Sequence, residues 1–208
     1  MDHQIKKAHA DAPIHHLLEK RWSPYVFSDE KISNETLKVL FEAARWAPSS
    51  YNDQPWRYII ATKEQPEIYE KIFTCLVEGN QTWAGNAYVL ALGVIMKNLS
   101  QTGKPNRAAL HDLGAASMSL TLEALKQGLF VHQMIGIIPQ KVKETFNLPD
   151  DAEAYTALAI GHVCDSDEHF DKAADVLKEC DHKPRERKPL DEIIFHGSFG
   201  EAFKFDLL

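Results

Sequence analysis

A single domain that combines helices with buried strands is what this sequence of 208 residues predicts. Three observations carry that prediction. The chain is long enough to bury one full core and has no interior shift in composition that would mark a second domain. Several stretches repeat apolar residues at the helical period. Between them lie short apolar runs, some rich in β-branched residues, that suit strands covered on both faces.

Taken in order, residues 1–13 are polar and mixed and read as a loose N-terminal arm. Ile14, Leu17 and Leu18 mark one face of a short helix ending at the Lys20-Arg21 turn, stopped by Pro24. Over 33–45, Leu37, Leu40, Phe41 and Ala44 form a stripe opposite Glu35, Lys38 and Glu42, which predicts a second helix. The run 58–62 is a buried strand. Ile68, Tyr69, Ile72, Phe73 and Leu76 restore the helical period as far as Gly79, and residues 80–83 read as a polar-aromatic loop. A second buried strand spans 88–96, and 98–105 is rich in turn residues. Residues 107–127 form the longest helical pattern. Its middle, Gly114-Ala115-Ala116-Ser117, is small enough for another backbone to approach closely, in the same chain or in a second copy. Gly128 suits a helix C-terminus, a short strand follows, and Gly136 permits close backbone approach. Pro139 opens a helix over 140–146, and 154–163 is a further buried strand. Ile193, Ile194, Phe195, Phe199, Phe203 and Phe205 make the last stretch too apolar to be free, so it should lie on a surface.

Composition excludes several classes of function. A net charge of −7 argues against nucleic acid, whose binders present a basic face. Any anionic ligand therefore needs a local cluster of positive charge. The cysteines Cys75, Cys164 and Cys180 are widely separated and form no Cys-x-x-Cys pair, which argues against structural disulfides and for a reducing compartment. No apolar run is long enough to span a bilayer and the start lacks a signal-peptide core, so a cytoplasmic location without membrane contact is expected. His111, His132 and His162 have no ligand-like spacing, and no metal site is expected.

Three segments carry the chemistry. In Pro48-Ser49-Ser50-Tyr51-Asn52-Asp53-Gln54-Pro55-Trp56, two prolines hold the chain out of regular helix around a dense set of short-range donors and acceptors. Such a loop suits a planar polar ligand, although turn chemistry of this kind also serves plain helix-to-strand turns. In Arg21-Trp22-Ser23-Pro24-Tyr25, a guanidinium, a backbone N–H and a hydroxyl can hold a phosphate or the polar edge of a ring. A lone arginine of this kind is more often a solvated cation. Near the end, Lys183-Pro184-Arg185-Glu186-Arg187-Lys188-Pro189 is the most basic part of an acidic chain and is the candidate anion site. By itself, a basic run is usually a solvated tail.

The order of these segments resembles the flavin-dependent nitroreductase family, which carries an Arg-x-Ser element near the N-terminus and a Pro-Ser-Ser-x-Asn-x-Gln-Pro-Trp element shortly after it. The resemblance continues from Gly128-Leu129 to Gly136, through Ala159-Ile160-Gly161-His162, and into Arg185-Glu186-Arg187-Lys188-Pro189-Leu190. It implies an α+β fold with a mainly antiparallel sheet flanked by helices, in an intertwined homodimer with two equivalent sites at the interface. It also implies FMN as cofactor, NADH or NADPH as electron donor, and a small electron-poor acceptor such as a nitroaromatic or quinone.

Carried over residue by residue, the resemblance puts Arg21, Trp22, Ser23 and Tyr25 on one side of the flavin. Pro48, Ser49, Ser50 and Asn52 belong to a loop that reaches it from the other subunit. Gln133, Met134, Ile135 and Gly136 lie near the central ring, and a backbone N–H close to Gly136 faces its reactive nitrogen. Arg185 and Arg187 grip the phosphate, Asn80 or Gln81 contacts the ring edge, and residues 183–208 wrap over the partner. The short 98–105 segment implies an open or shallow pocket. The cofactor carries the chemistry, so no catalytic residue is assigned. Many relatives have Arg or Lys where Tyr25 stands. A phenol gives a hydrogen bond but no charge, so this flavin is expected to be harder to reduce unless another arginine substitutes. An FMN store or sensor with little turnover remains an alternative, as does a flavin enzyme of the same fold with other reductive chemistry, such as dehalogenation or enoate reduction.

Overall fold

The computed structural model describes residues 3–164 and 175–205. The helices are α1 (His16–Lys20), α2 (Asn34–Arg45), α3 (Pro66–Phe73), α4 (Glu78–Ala84), α5 (Ala109–Lys126), α6 (Pro139–Phe146) and α7 (Asp175–His182). The strands β1 (Trp56–Thr62), β2 (Val89–Met96), β3 (Phe130–Met134) and β4 (Ala152–Gly161) pair antiparallel throughout, in the order β1-β2-β4-β3.

β2 reads as unbroken apolar sequence because both faces of the sheet are covered. Period-2 alternation sends Leu90, Leu92 and Val94 into one core, with Tyr69, Ile72, Leu76, Trp83 and Val142. Val89, Ala91 and Ile95 enter the other, with Leu37 and Leu40 of α2 and Leu113 and Leu120 of α5. The β2–β4 register shifts between Gly93 and Val94. Gly93 is required there, since a Cβ would come 2.6 Å from Thr156 Cγ2. α2 starts where Ser33 Oγ accepts the Thr36 N–H, a serine N-cap, and it delivers the chain to the 48–56 loop.

The expected elements form, with three differences. The helical period of 68–79 is broken: α3 ends at Phe73, and buried Leu76 pairs with Ile137 in an isolated antiparallel bridge. The polar-aromatic segment 80–83 is helix α4 rather than loop, because Trp83 and Ala84 are buried there while Gln81 folds back to donate to the Leu76 carbonyl. The third difference lies in the N-terminal arm, whose residues His3–Lys6 form a 3-10 helix. Lys6 is 7% exposed, and its amine donates to two carbonyls near the other end of the chain, so the described part of the arm is tied down rather than loose.

In the small-residue middle of α5, Ala116 and Ser117 are buried within their own chain, and Ser117 Oγ lies 2.9 Å from Tyr58 Oη. Gly114 faces open space beside exposed Leu110 and His111. The described part of the 183–208 extension leaves Leu190, Ile193, Ile194, Phe199 and Phe205 exposed. Residues 1–2 of the arm and 206–208 of this extension lie outside the described residues. Among the described residues no helix is long and apolar enough to cross a membrane.

Candidate active site

The two ends of the chain meet around a cavity of about 500 Å³, within the usual size of a small-molecule site. Residues 8–12, Ile14 and Leu18 form one wall, and Arg21, Arg185, Arg187 and Lys188 supply the charge, with Asp11 also on the lining. Among the described residues, none of the three guanidiniums forms an ion pair. Burial, and then the neighbouring Arg187, lower the proton affinity of Arg21; burial followed by Arg21 and Arg187 does the same for Arg185. Because guanidiniums stay protonated, the cavity is a concentration of repelling cations, which an anion would relieve. Ser23 Oγ accepts from Arg21 Nη1 at 3.3 Å, which places the hydroxyl beside the charge.

Arg185, expected as a phosphate grip, donates to three backbone carbonyls. Its Nε donates to the Lys6 carbonyl at 2.6 Å, Nη1 to the Arg21 carbonyl and Nη2 to the Glu19 carbonyl, so the side chain ties the C-terminal segment to the N-terminal one. Arg187 donates to the adjacent Glu186 carbonyl and is otherwise exposed. Lys6 answers Arg185 from the opposite direction, with its amine 2.6 Å from each of the Cys180 and Lys183 carbonyls.

Beside the cavity runs the segment 22–25, packed along β3. Trp22 is only 3% exposed, its ring edge-on to Phe130 and beneath the Lys6 amine, so it supports the wall instead of lining it. Tyr25 is half-buried and meets Trp83 and His132 edge-on, while Trp83 stacks on His132. Burial raises the Tyr25 phenol and lowers His132, whose Nδ1 hydrogen-bonds the Pro24 carbonyl at 2.9 Å. The Asp181 carboxylate accepts the N–H groups of Tyr25 and Val26 at 3.2 Å, and burial pushes its pKa up to about 6.

At the end of β3, Gln133 Nε2 donates to Thr121 Oγ1, Met134 is buried and Ile135 is exposed. Asn80 Nδ2 donates to the Gly136 carbonyl at 2.9 Å, so Asn80 is the member of the Asn80/Gln81 pair that joins this segment. A Cβ on Gly136 would stand 2.4 Å from Asn80 Nδ2.

The 48–56 loop forms a second cluster. Tyr51, Asn52 and Gln54 have φ of 55°, 55° and 48°, a left-handed conformation uncommon for residues with side chains. It is held from several directions. Ser49 Oγ accepts the Gln54 N–H, the Ser50 N–H reaches buried Asp112, and Gln54 Nε2 donates to the Asn52 carbonyl. Asp53 accepts from Ser100 N–H at 2.8 Å, Ser100 Oγ at 2.7 Å and Asn106 Nδ2 at 3.2 Å, which pins the 98–106 turn against the loop. Pro48 and Tyr51 are exposed, and Tyr51 shares a cavity of about 310 Å³ with Asp53, Leu99, Gln101, Thr102 and Lys104. The two cavities share no lining residue within one chain.

Sequence reasoning missed Lys6, Asp112, Asp181 and the Trp83–His132 stack, and gave Asp53 of the 48–56 loop no role of its own. Asp112 sits in the first turn of α5, where an acid favours a helix start, and that was the only local signal for it. The others gain their roles from contacts across the fold.

The sequence profile of the Nitroreductase family matches residues 18–162, which contain the Arg21, 48–56 and 133–136 segments. The chain belongs to the nitroreductase family. A solved structure described as an oxidoreductase containing FMN is 33% identical to this nitroreductase-family chain, with a TM-score of 0.85 over 93% of this chain and 96% of the other. YdgI of Bacillus subtilis, a protein named as an NAD(P)H nitroreductase, is 30% identical over 65% of this chain and 80% of its own length. A shorter match, 45% identical over 23% of this chain and 22% of the relative, is to the major NAD(P)H-flavin oxidoreductase of Aliivibrio fischeri.

Proposed function

We propose that this family member is a cytoplasmic FMN-dependent oxidoreductase that takes electrons from NADH or NADPH and delivers them, in ping-pong fashion, to electron-poor acceptors such as nitroaromatics and quinones. The observation that carries the proposal is the convergence of Arg21, Arg187 and Lys188 on one cavity of an acidic chain. The donor set fits the cofactor: guanidinium forks and the Ser23 hydroxyl match a phosphate.

FMN, when bound, supplies the hydride chemistry between nicotinamide and acceptor. The protein's part is to bind and orient. Arg21, Ser23 and Arg187 would hold the phosphate, with Arg185 fixing the backbone behind them. Asn80 and the Val77 N–H hold the carbonyl of Gly136. Tyr25, braced by Trp83 and His132, offers a hydroxyl without charge.

Tyr51 and Asp53 of the 48–56 loop line a different cavity from the arginines of the same chain, which supports a homodimeric arrangement in which each copy completes the other's site. The open face at Gly114 and the exposed Ile193 and Phe199 suit the same pairing. The test is an absorbance spectrum of the protein reconstituted with FMN, followed by anaerobic mixing with NADH and with NADPH. Flavin binding with rapid bleaching by at least one donor is expected. No bound flavin refutes the reading, and bleaching too slow for turnover would make the protein a flavin store instead.

A further inference from the structure

Lys6 is a buried amine with no place in the reaction and no position on the lining of the basic cavity. Its amine lies over the Trp22 ring, 5.1 Å from the centroid, and donates to the carbonyls of Cys180 and Lys183. Those carbonyls mark the end of α7 and the start of the basic segment. Two residues on, Arg185 returns to the carbonyls of Lys6, Glu19 and Arg21. The two cations thus make a reciprocal clasp: the N-terminal amine fixes C-terminal backbone, and the C-terminal guanidinium fixes N-terminal backbone. Between them the clasp sets how far Arg187 stands from Arg21. Like charges held close repel, so without a fixed backbone the two groups would drift apart and the anion site would dissolve.

We propose that Lys6 is a positioning residue for phosphate recognition: it touches no ligand, yet it holds the backbone that presents Arg187 and Lys188 to Arg21. The proposal rests on the flavin reading above. It makes a distinction that a general weakening of the fold would not, because only the phosphate end of the cofactor depends on the clasp. FMN and riboflavin share the ring and differ in that phosphate.

The experiment measures dissociation constants of FMN and of riboflavin, by quenching of flavin fluorescence, for wild type, Lys6→Met and Lys6→Arg. Met keeps an unbranched chain of similar length and removes the donors; Arg restores donors for both carbonyls. Lys6→Met is expected to weaken FMN by tenfold or more and riboflavin by less than twofold, and Lys6→Arg to recover most of the FMN affinity. Equal weakening of both flavins, or an unchanged ratio, overturns the proposal while leaving the flavin reading intact. Wild type binding neither flavin refutes that reading and this proposal together. Should Lys6→Met fail to fold, Lys6→Gln, which keeps a donor for one carbonyl, is scored by the same ratio: a ratio equal to wild type overturns the proposal, and a selective loss for FMN supports it.

Discussion

The carboxamide of Asn80 donates to the carbonyl oxygen of Gly136 at 2.9 Å, and the same nitrogen lies 2.4 Å from where a Cβ on Gly136 would stand. Gly136→Ala should therefore displace Asn80 and press on Val77, whose Cγ2 would be 2.9 Å from the new methyl. Overpacking of this kind costs about 1–3 kcal/mol. Thermal unfolding should show the loss, and Asn80→Ala in the same chain should recover part of it. Additive losses in the double variant would mean that the two residues do not press on each other.

Asp181 gives a pH dependence of defined sign. Burial raises its carboxyl to about 6, against the bonds from Tyr25 and Val26 and the charges of Lys6 and His182. A raised acid pKa means that the folded chain holds this proton more tightly than the unfolded chain, so this group's contribution to stability grows as pH falls from 7 through 6 toward 4. Relative to Asp181→Asn, wild type should gain up to about 2–3 kcal/mol across that window. Unfolding curves at pH 7, 6 and 5 check this; a constant gap between the proteins would contradict it.

Truncation of Arg187 should weaken FMN about tenfold to a hundredfold, the loss of a charged hydrogen-bonding partner, and leave riboflavin unaffected. Comparative flavin titrations of wild type and Arg187→Ala decide this. Arg187 as a solvated residue predicts no change for either ligand.

Asp53 holds the 98–106 turn by accepting three hydrogen bonds, two from Ser100 and one from Asn106. Asp53→Ala should free that turn, so that limited proteolysis cuts within 99–104 much faster than in wild type, while Asp53→Asn, which keeps an acceptor, should fall between. The loss of net stability should be small, about 1 kcal/mol, because the groups regain water.

Tyr25→Arg would place a cation where the wild type has only a phenol. The flavin midpoint potential should rise by about 20–40 mV, the two-electron equivalent of about 1–2 kcal/mol of added charge stabilisation. Spectroelectrochemical titration of both proteins measures it, and no upward shift removes the idea that the tyrosine tunes the potential.

Periodicity located every strand and most helices because the sheet is covered on both sides, so Leu90 and Val89 both had to be apolar although they face opposite cores. It failed at 80–83, where a short helix buries Trp83 and carries polar residues on its remaining turns, a pattern too brief to show a period. The Arg187 charge was legible from composition, since an acidic chain made the basic 183–189 segment conspicuous, whereas Arg21 gained its role only from the family resemblance. The contacts that Arg185 and Trp22 make across the fold were not legible. Nothing local tells a guanidinium bound to a phosphate from one bound to three carbonyls, or a ring that lines a cavity from one that supports its wall. Lys6 lay beyond reach for the same reason: its partners are more than 170 positions away in sequence.

The reciprocal hold between Lys6 and Arg185 makes the two chain ends one cooperative unit. Fraying that starts at either terminus must release the other, so amide hydrogens near residue 6 and near residue 185 should exchange with solvent at a common rate. An affinity tag that tugs on the first residues would then be felt at the opposite end of the polypeptide.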